Sequence, residues 1–184
     1  MELLDALSQS FDHTNKVVAG VKTDQLNAPT PCGEWDVRTL IAHTMGVIMN
    51  MGRGASGEEL LDHKNSLPLD ADLGAQFRAE TNRTLAAWSA LGLEGEVNVG
   101  GGPMPAQIAA SINLVDTTAH SWDVARATGQ DAKLADDLAV TVLAVGQGFI
   151  TDDLRARVGF NPPVPVGANA SPTEQLVAFL GRQP

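Results

Sequence analysis

Along most of this chain apolar residues return every three or four positions, the repeat of one face of an α-helix rather than the alternation of a strand. Leu4, Leu7, Phe11, Thr14, Val18 and Val21 make one such face and predict a first helix. Val37, Leu40, Ile41, Thr44, Ile48 and Met51 predict a second, with Asp36 as its cap and Trp35 and Leu40 placed to form a hydrophobic staple. Leu73, Phe77, Thr81, Thr84, Leu85, Trp88 and Leu91 predict a third. A fourth is expected from about 105 to 128, with Ile108, Ile112, Val115, Ala119 and Trp122 on its main stripe and Gly129 as its stop. Leu138, Val142, Val145 and Phe149 predict a fifth over about 135 to 158, locally weakened by Gly146 and Gly148.

The connections carry their own signals. Two prolines and a glycine make the stretch before Trp35 an ordered loop, and residues 52–71 read as a long connection with one short helical turn. A brief extended piece is expected at 96–99. The "GGGP" run that follows lacks the lysine and hydroxyl of a phosphate-binding loop and reads as a turn. The proline-rich tail runs extended, then starts a short helix with Ser171 as cap, Pro172 at the first position, Glu174 completing a capping box and Gly181 at its end. The pattern predicts an all-α fold: one domain over 1–184, a helical bundle over about 1–158, and a tail over about 159–184 packed on it and able to wall a pocket.

Composition narrows the partners. At 43% hydrophobic, 184 residues can bury one substantial core. A formal charge of −10 and a pI near 4.6 argue against nucleic acid and anionic membranes, which reward clustered Lys and Arg. Glu2, Asp5 and Asp12 interrupt the start that a secretion signal would need, and a single cysteine, Cys32, excludes an internal disulfide. The expectation is a cytoplasmic protein. Cys32 itself reads as a small buried hydrophobe rather than a working thiol.

The chemistry must come from four histidines. His13 lies half a turn from the first stripe and is expected in solvent; His63 sits in a polar connection. His43 lies at the margin of the second stripe, on the flank of Leu40 and Val47. His120 lies at the margin of the fourth stripe, one helical turn after Asp116, so those two side chains project from the same flank. Two readings stay open on spacing alone: a hydrogen-bonded Asp–His couple, or an ion held between two helices by two imidazoles and a carboxylate. Asp123 can orient His120, or pair with Arg126 or with the tail. Trp122 belongs to the core.

"TPCGEWDVRTLIAHTMG", "DTTAHSWDVARATGQ" and the closing "FNPPVPVGANASPTEQLVAFLGRQP" resemble the DinB-like metal-binding superfamily, in an actinobacterial branch related to the N-terminal domain of mycothiol-dependent maleylpyruvate isomerase. The likeness runs over nearly the whole chain. It implies a DinB-like four-helix bundle with an additional C-terminal helix, binding a divalent metal, zinc or nickel, through His43 and the pair Asp116 and His120. Members often carry His or Glu where this chain has Asp116, whose shorter side chain demands closer helices or a bridging water.

The resemblance further implies a metal-dependent transferase that uses a low-molecular-weight thiol such as mycothiol on a small electrophile. This length leaves no room for that isomerase's second domain, so isomerisation of maleylpyruvate is not expected. Two alternatives remain: a non-catalytic metal- or ligand-binding stress-response protein of the same fold, and a homodimer that has lost the ion.

Overall fold

The structure is a computed structural model that describes the chain except Glu34, residues 63–66 and Gly159, and leaves out the side chains of Arg157 and Val158. His63 therefore lies outside the described residues. Glu2–Ala132 form one compact unit and Lys133–Pro184 another.

The larger unit is a four-helix bundle. Its helices are α1 (Leu3–Ala19), α2 (Val37–Ala55), α3 (Leu73–Leu91) and α4 (Ala106–Thr128). In cross-section α1 and α2 sit on one diagonal, each packed against both α3 and α4. The expected stripes supply the core: Leu7, Phe11, Leu40, Ile41, Ile48, Phe77 and Trp88 are all buried. Burying each such side chain fully contributes about 1.5–3 kcal/mol.

Polar pairs inside the bundle fix how the helices slide on one another. Ser10 and Thr118 hydroxyls meet at 2.8 Å, Asn15 donates to Thr81 at 3.0 Å, and the Trp88 indole N–H donates to Asn113 at 3.1 Å. A slip by one turn would strand each buried group without its partner.

Asp36 caps α2 as expected, its carboxylate accepting the Thr39 N–H at 2.8 Å. The helix then runs on through Arg53, Gly54 and Ala55, where a connection was expected. Close packing explains this: a side chain at Gly52 would meet the Thr84 hydroxyl at 2.5 Å, and one at Gly54 would meet the Asn98 carbonyl at 2.6 Å. The glycines are there for contact, not for a bend.

Between α3 and α4 a small antiparallel hairpin forms from β1 (Glu96–Asn98) and β2 (Pro103–Pro105), the glycine run turning between them. Helix α4 ends at Gly129, whose φ of 69° is the left-handed conformation that glycine tolerates. Its expected stripe is only partly correct. Ile108 is exposed, while Asn113, Thr117, Thr118, Ser121 and Asp123 are buried. The helix is covered over most of its circumference from Ala109 onward, so no single stripe describes it.

In the second unit the expected fifth helix is two: α5 (Asp136–Phe149) and α6 (Asp152–Val158). Ile150 is extended between them, and the Thr151 hydroxyl accepts the Leu154 N–H at 3.2 Å, which starts the chain afresh. The last helix, α7 (Pro172–Phe179), carries the capping box in both directions between Ser171 and Glu174. It packs on α5, with Gly146 giving room to the Phe179 ring. Among the described residues no helix is long and apolar enough to cross a membrane.

Candidate metal centre

Helix α2 carries His43 and its neighbour α4 carries Asp116 and His120, so the groups singled out from sequence face each other across one helix interface. Asp116 lies between the two imidazoles. Its Oδ1 is 3.4 Å from His120 Nε2 and 3.8 Å from His43 Nε2. The rings stand edge to face with centroids 5.3 Å apart, and one ligand atom from each of the three residues lies within 4.8 Å of the others.

Burial grades across the cluster. His120 keeps 7% of its side-chain surface, while His43 and Asp116 keep 20% each, so the cluster opens on the His43 and Asp116 side. Asp116 Oδ2 is enclosed and has no hydrogen-bond partner among the described residues. A carboxylate oxygen enclosed without a donor calls for a cation or a proton.

These residues fit a divalent ion. A tetrahedral ion with bonds of about 2.0–2.2 Å holds its donors roughly 3.3 Å apart, close to the two distances measured from Asp116. Two nitrogens and one oxygen suit zinc or nickel. Without an ion the same geometry makes a coupled pair. Burial opposes ionisation of Asp116, but the two histidines outweigh it and hold the carboxyl well below the usual carboxylate range. Burial likewise disfavours a charged His120, but Asp116, with Asp123 and Cys32, pushes its pKa well above the ordinary histidine value.

Asp123 acts on His120 from the other side. Its Oδ2 lies 3.1 Å from His120 Nδ1, and the residue is completely buried. With Nδ1 engaged there, Nε2 is the nitrogen turned to Asp116. Of the alternatives read from sequence, the orienting role is the one this distance describes. Arg126 instead lies over the Trp122 ring at 5.4 Å.

Two expectations, for Cys32 and His13, need correction, and Trp35 joins the site. Cys32 is half-exposed rather than buried, and it belongs to a second donor cluster with His120 and Asp123 whose ligand atoms lie within 4.8 Å of one another. Trp35 lies with its ring centroid 4.6 Å from that of His43 and 6.4 Å from that of His120, so it flanks the cluster. His13 is half-buried, not solvated; its Nε2 is enclosed without a partner among the described residues, and burial lowers its pKa. Cys32 and Trp35 reach the site because the loop before α2 folds back, which helical periodicity does not record.

The model of the mycothiol maleylpyruvate isomerase N-terminal domain matches residues 7–125. The chain belongs to that family. The match spans every residue of the two donor clusters. Two Mycobacterium tuberculosis proteins, the uncharacterised MT0763 and Rv0738, are each 32% identical over 99% of this chain and 98% of their own length.

Among solved structures, mycothiol-dependent maleylpyruvate isomerase and a histidine-to-alanine mutant of it are similar with a TM-score of 0.56. They are 19% and 18% identical, with 78% of this chain and 68% of theirs covered. At that identity the likeness is one of fold: this family member is an all-α DinB-like bundle.

Proposed function

We propose that the protein binds a divalent metal, zinc or nickel, through His43, Asp116 and His120, and that it transfers a low-molecular-weight thiol, mycothiol or a close analogue, to a small electrophile. The observation that carries the reading is the Asp116 carboxylate between two imidazoles, one oxygen facing both and the other enclosed with no donor among the described residues. Membership of a family named for a mycothiol-dependent isomerase supports the choice of thiol.

When bound, such an ion supplies Lewis acidity and holds a thiol as its thiolate at neutral pH. The chain's residues do the rest. Asp123 fixes the ring of His120 with Nε2 toward the donors, which keeps one tautomer in place. His43 and Asp116, on the accessible side, leave the approach for a small molecule, and Trp35 beside His43 offers an aromatic wall against which an apolar part can lie. Isomerisation of maleylpyruvate is not part of this proposal.

Elemental analysis of purified protein, alongside His43→Ala and His120→Ala, tests the ion. Stoichiometric metal in the wild type and its loss in both variants are expected; metal retained in both would remove the assignment. Turnover is tested by incubating metal-loaded protein with small thiols and a panel of electrophiles. Metal-dependent acceleration supports a transferase, whereas tight metal binding with no acceleration for any pair supports the non-catalytic binding protein.

A further inference from the structure

Of the phenylalanine and tryptophan side chains between residues 2 and 132, Phe11, Phe77, Trp88 and Trp122 are buried and Trp35 is only half-buried. It stands at the donor cluster. Its ring centroid is 4.6 Å from that of His43 and 6.4 Å from that of His120, so it lies nearer the side through which the cluster opens. The bundle has taken its other large aromatics into the core and left this one where a small molecule reaching His43 would meet it.

The ring is firmly mounted. The Trp35 N–H donates to the Cys32 carbonyl at 3.4 Å, and its carbonyl accepts the Thr30 hydroxyl at 2.8 Å and the Thr30 N–H at 3.2 Å. The next residue, Asp36, bridges Pro29 and caps α2 through the Thr39 N–H. A platform whose backbone is already ordered loses little freedom when a ligand settles on it. An indole face is electron-rich and stacks on another flat π system with a gain beyond the area covered. A molecule that accepts a thiolate is electron-poor, and where it is conjugated it is also flat.

We propose that Trp35 selects the electrophile: the acceptor is flat and conjugated, an aryl or α,β-unsaturated carbonyl compound, and its π face lies on the indole beside His43. The inference rests on the transferase reading above and names its substrate class. A saturated molecule of the same size covers the same area without the stacking. Trp35 thus discriminates by flatness and π character, and the donors across from it do not.

Benzamide and cyclohexanecarboxamide are unreactive, uncharged probes with the same polar group, one flat and one puckered. Ligand-observed NMR measures their dissociation constants for the full chain as purified and for Trp35→Phe and Trp35→Leu, with folding checked by circular dichroism. Benzamide is expected to bind roughly two- to tenfold tighter than its saturated counterpart, as an aromatic pair gives beyond its buried area. Trp35→Phe should keep a preference and Trp35→Leu should lose it. Fluorotryptophan labelling of the wild type tests the contact without any variant. Of the three tryptophans Trp35 is the half-buried one, so its fluorine resonance is assigned by its response to heavy water, and benzamide should move that resonance.

Benzamide that binds no better than its counterpart, a preference that survives in Trp35→Leu, or a Trp35 resonance that benzamide leaves in place would overturn the proposal, whatever metal-dependent turnover shows. A preference that depends on Trp35, in a protein without metal-dependent turnover for any thiol and electrophile, would remove the transferase and leave Trp35 as a site for flat ligands.

Discussion

His120 Nδ1 and Asp123 Oδ2 face each other at 3.1 Å in a place where Asp123 has no solvent-accessible surface at all. A carboxylate so deeply buried is costly unless it is fully engaged, and here it holds an imidazole whose other nitrogen looks at Asp116. The bundle places a fully buried carboxyl group against the ring and obtains a histidine with a fixed direction.

That relationship gives the first prediction. Asp123→Asn keeps the volume and a hydrogen-bonding oxygen but replaces the carboxyl oxygen facing Nδ1 by a weaker acceptor, so the ring is held less firmly. Metal affinity is expected to fall by about 10–100-fold, as for other residues that orient a ligand. Competition with a chromophoric chelator measures it. Unchanged affinity in a folded variant would show that the 3.1 Å contact is packing only.

Much of this architecture was legible. Stripes of Leu, Ile, Phe and Trp at helical spacing located α1, α2 and α3, because each buries a defined face. The capping box at Ser171 was equally readable, since it is a local hydrogen-bond pattern. His43, Asp116 and His120 could be singled out because each sits on a stripe margin of a helix. Legibility failed where burial is not one-sided. Helix α4 is covered nearly all round, which left Ile108 on the wrong side of the argument, and α1 packs on both α3 and α4, which widens its buried arc to take in His13. Cys32 was missed for another reason: its place beside His120 is set by the fold-back of a loop, a contact between residues 88 positions apart in sequence.

The ion-free site has a predicted pH response. His120 has a raised pKa, so its contribution to stability is full below the unfolded value of about 6.5 and is lost as pH rises through the folded value. Asp116 has a depressed pKa, so its contribution is full above the unfolded value of about 3.9 and is lost as pH falls through the folded one. Metal-free protein should therefore be most stable between roughly pH 4 and 6.5 as far as this pair is concerned. Denaturant midpoints across that range, compared with Asp116→Asn, test it: the variant should lose the alkaline decline that belongs to the pair.

If the proposed ion binds, the raised pKa of His120 makes proton release part of the reaction: the ring must be neutral to ligate, so apparent affinity should fall as pH drops below that raised value. Calorimetry in buffers of different ionisation enthalpy counts the protons released. Zero release near neutral pH would contradict the coupled state described for Asp116 and His120.

Packing between α2 and α3 offers a test that does not involve the ion. Gly52→Ala puts a methyl group 2.5 Å from the Thr84 hydroxyl and 3.0 Å from its Cα, and the second of these is backbone that cannot swing away. The Thr84 hydroxyl also donates to the Ile48 carbonyl at 2.9 Å, so pushing it aside breaks a buried hydrogen bond. A loss of about 1–3 kcal/mol is expected, typical of an overfilled interface. If Gly52 served helix flexibility instead, alanine would stabilise α2 by about 0.5–1 kcal/mol. The sign of the change in unfolding midpoint decides between close contact and flexibility.

Trp35 should report on the site optically. The chain has three tryptophans; Trp88 is fully enclosed, its N–H bonded to Asn113, and Trp122 is a core residue under Arg126, whereas the Trp35 ring rests 4.6 Å from the His43 ring. An ion that takes the lone pair of His43 changes the field beside this indole. Adding zinc to metal-free protein is therefore expected to shift or quench the emission, and Trp35→Phe should abolish the change while chelator competition shows zinc still bound. Emission that responds equally in Trp35→Phe would place the responding ion away from His43, and with it the centre formed by His43, Asp116 and His120.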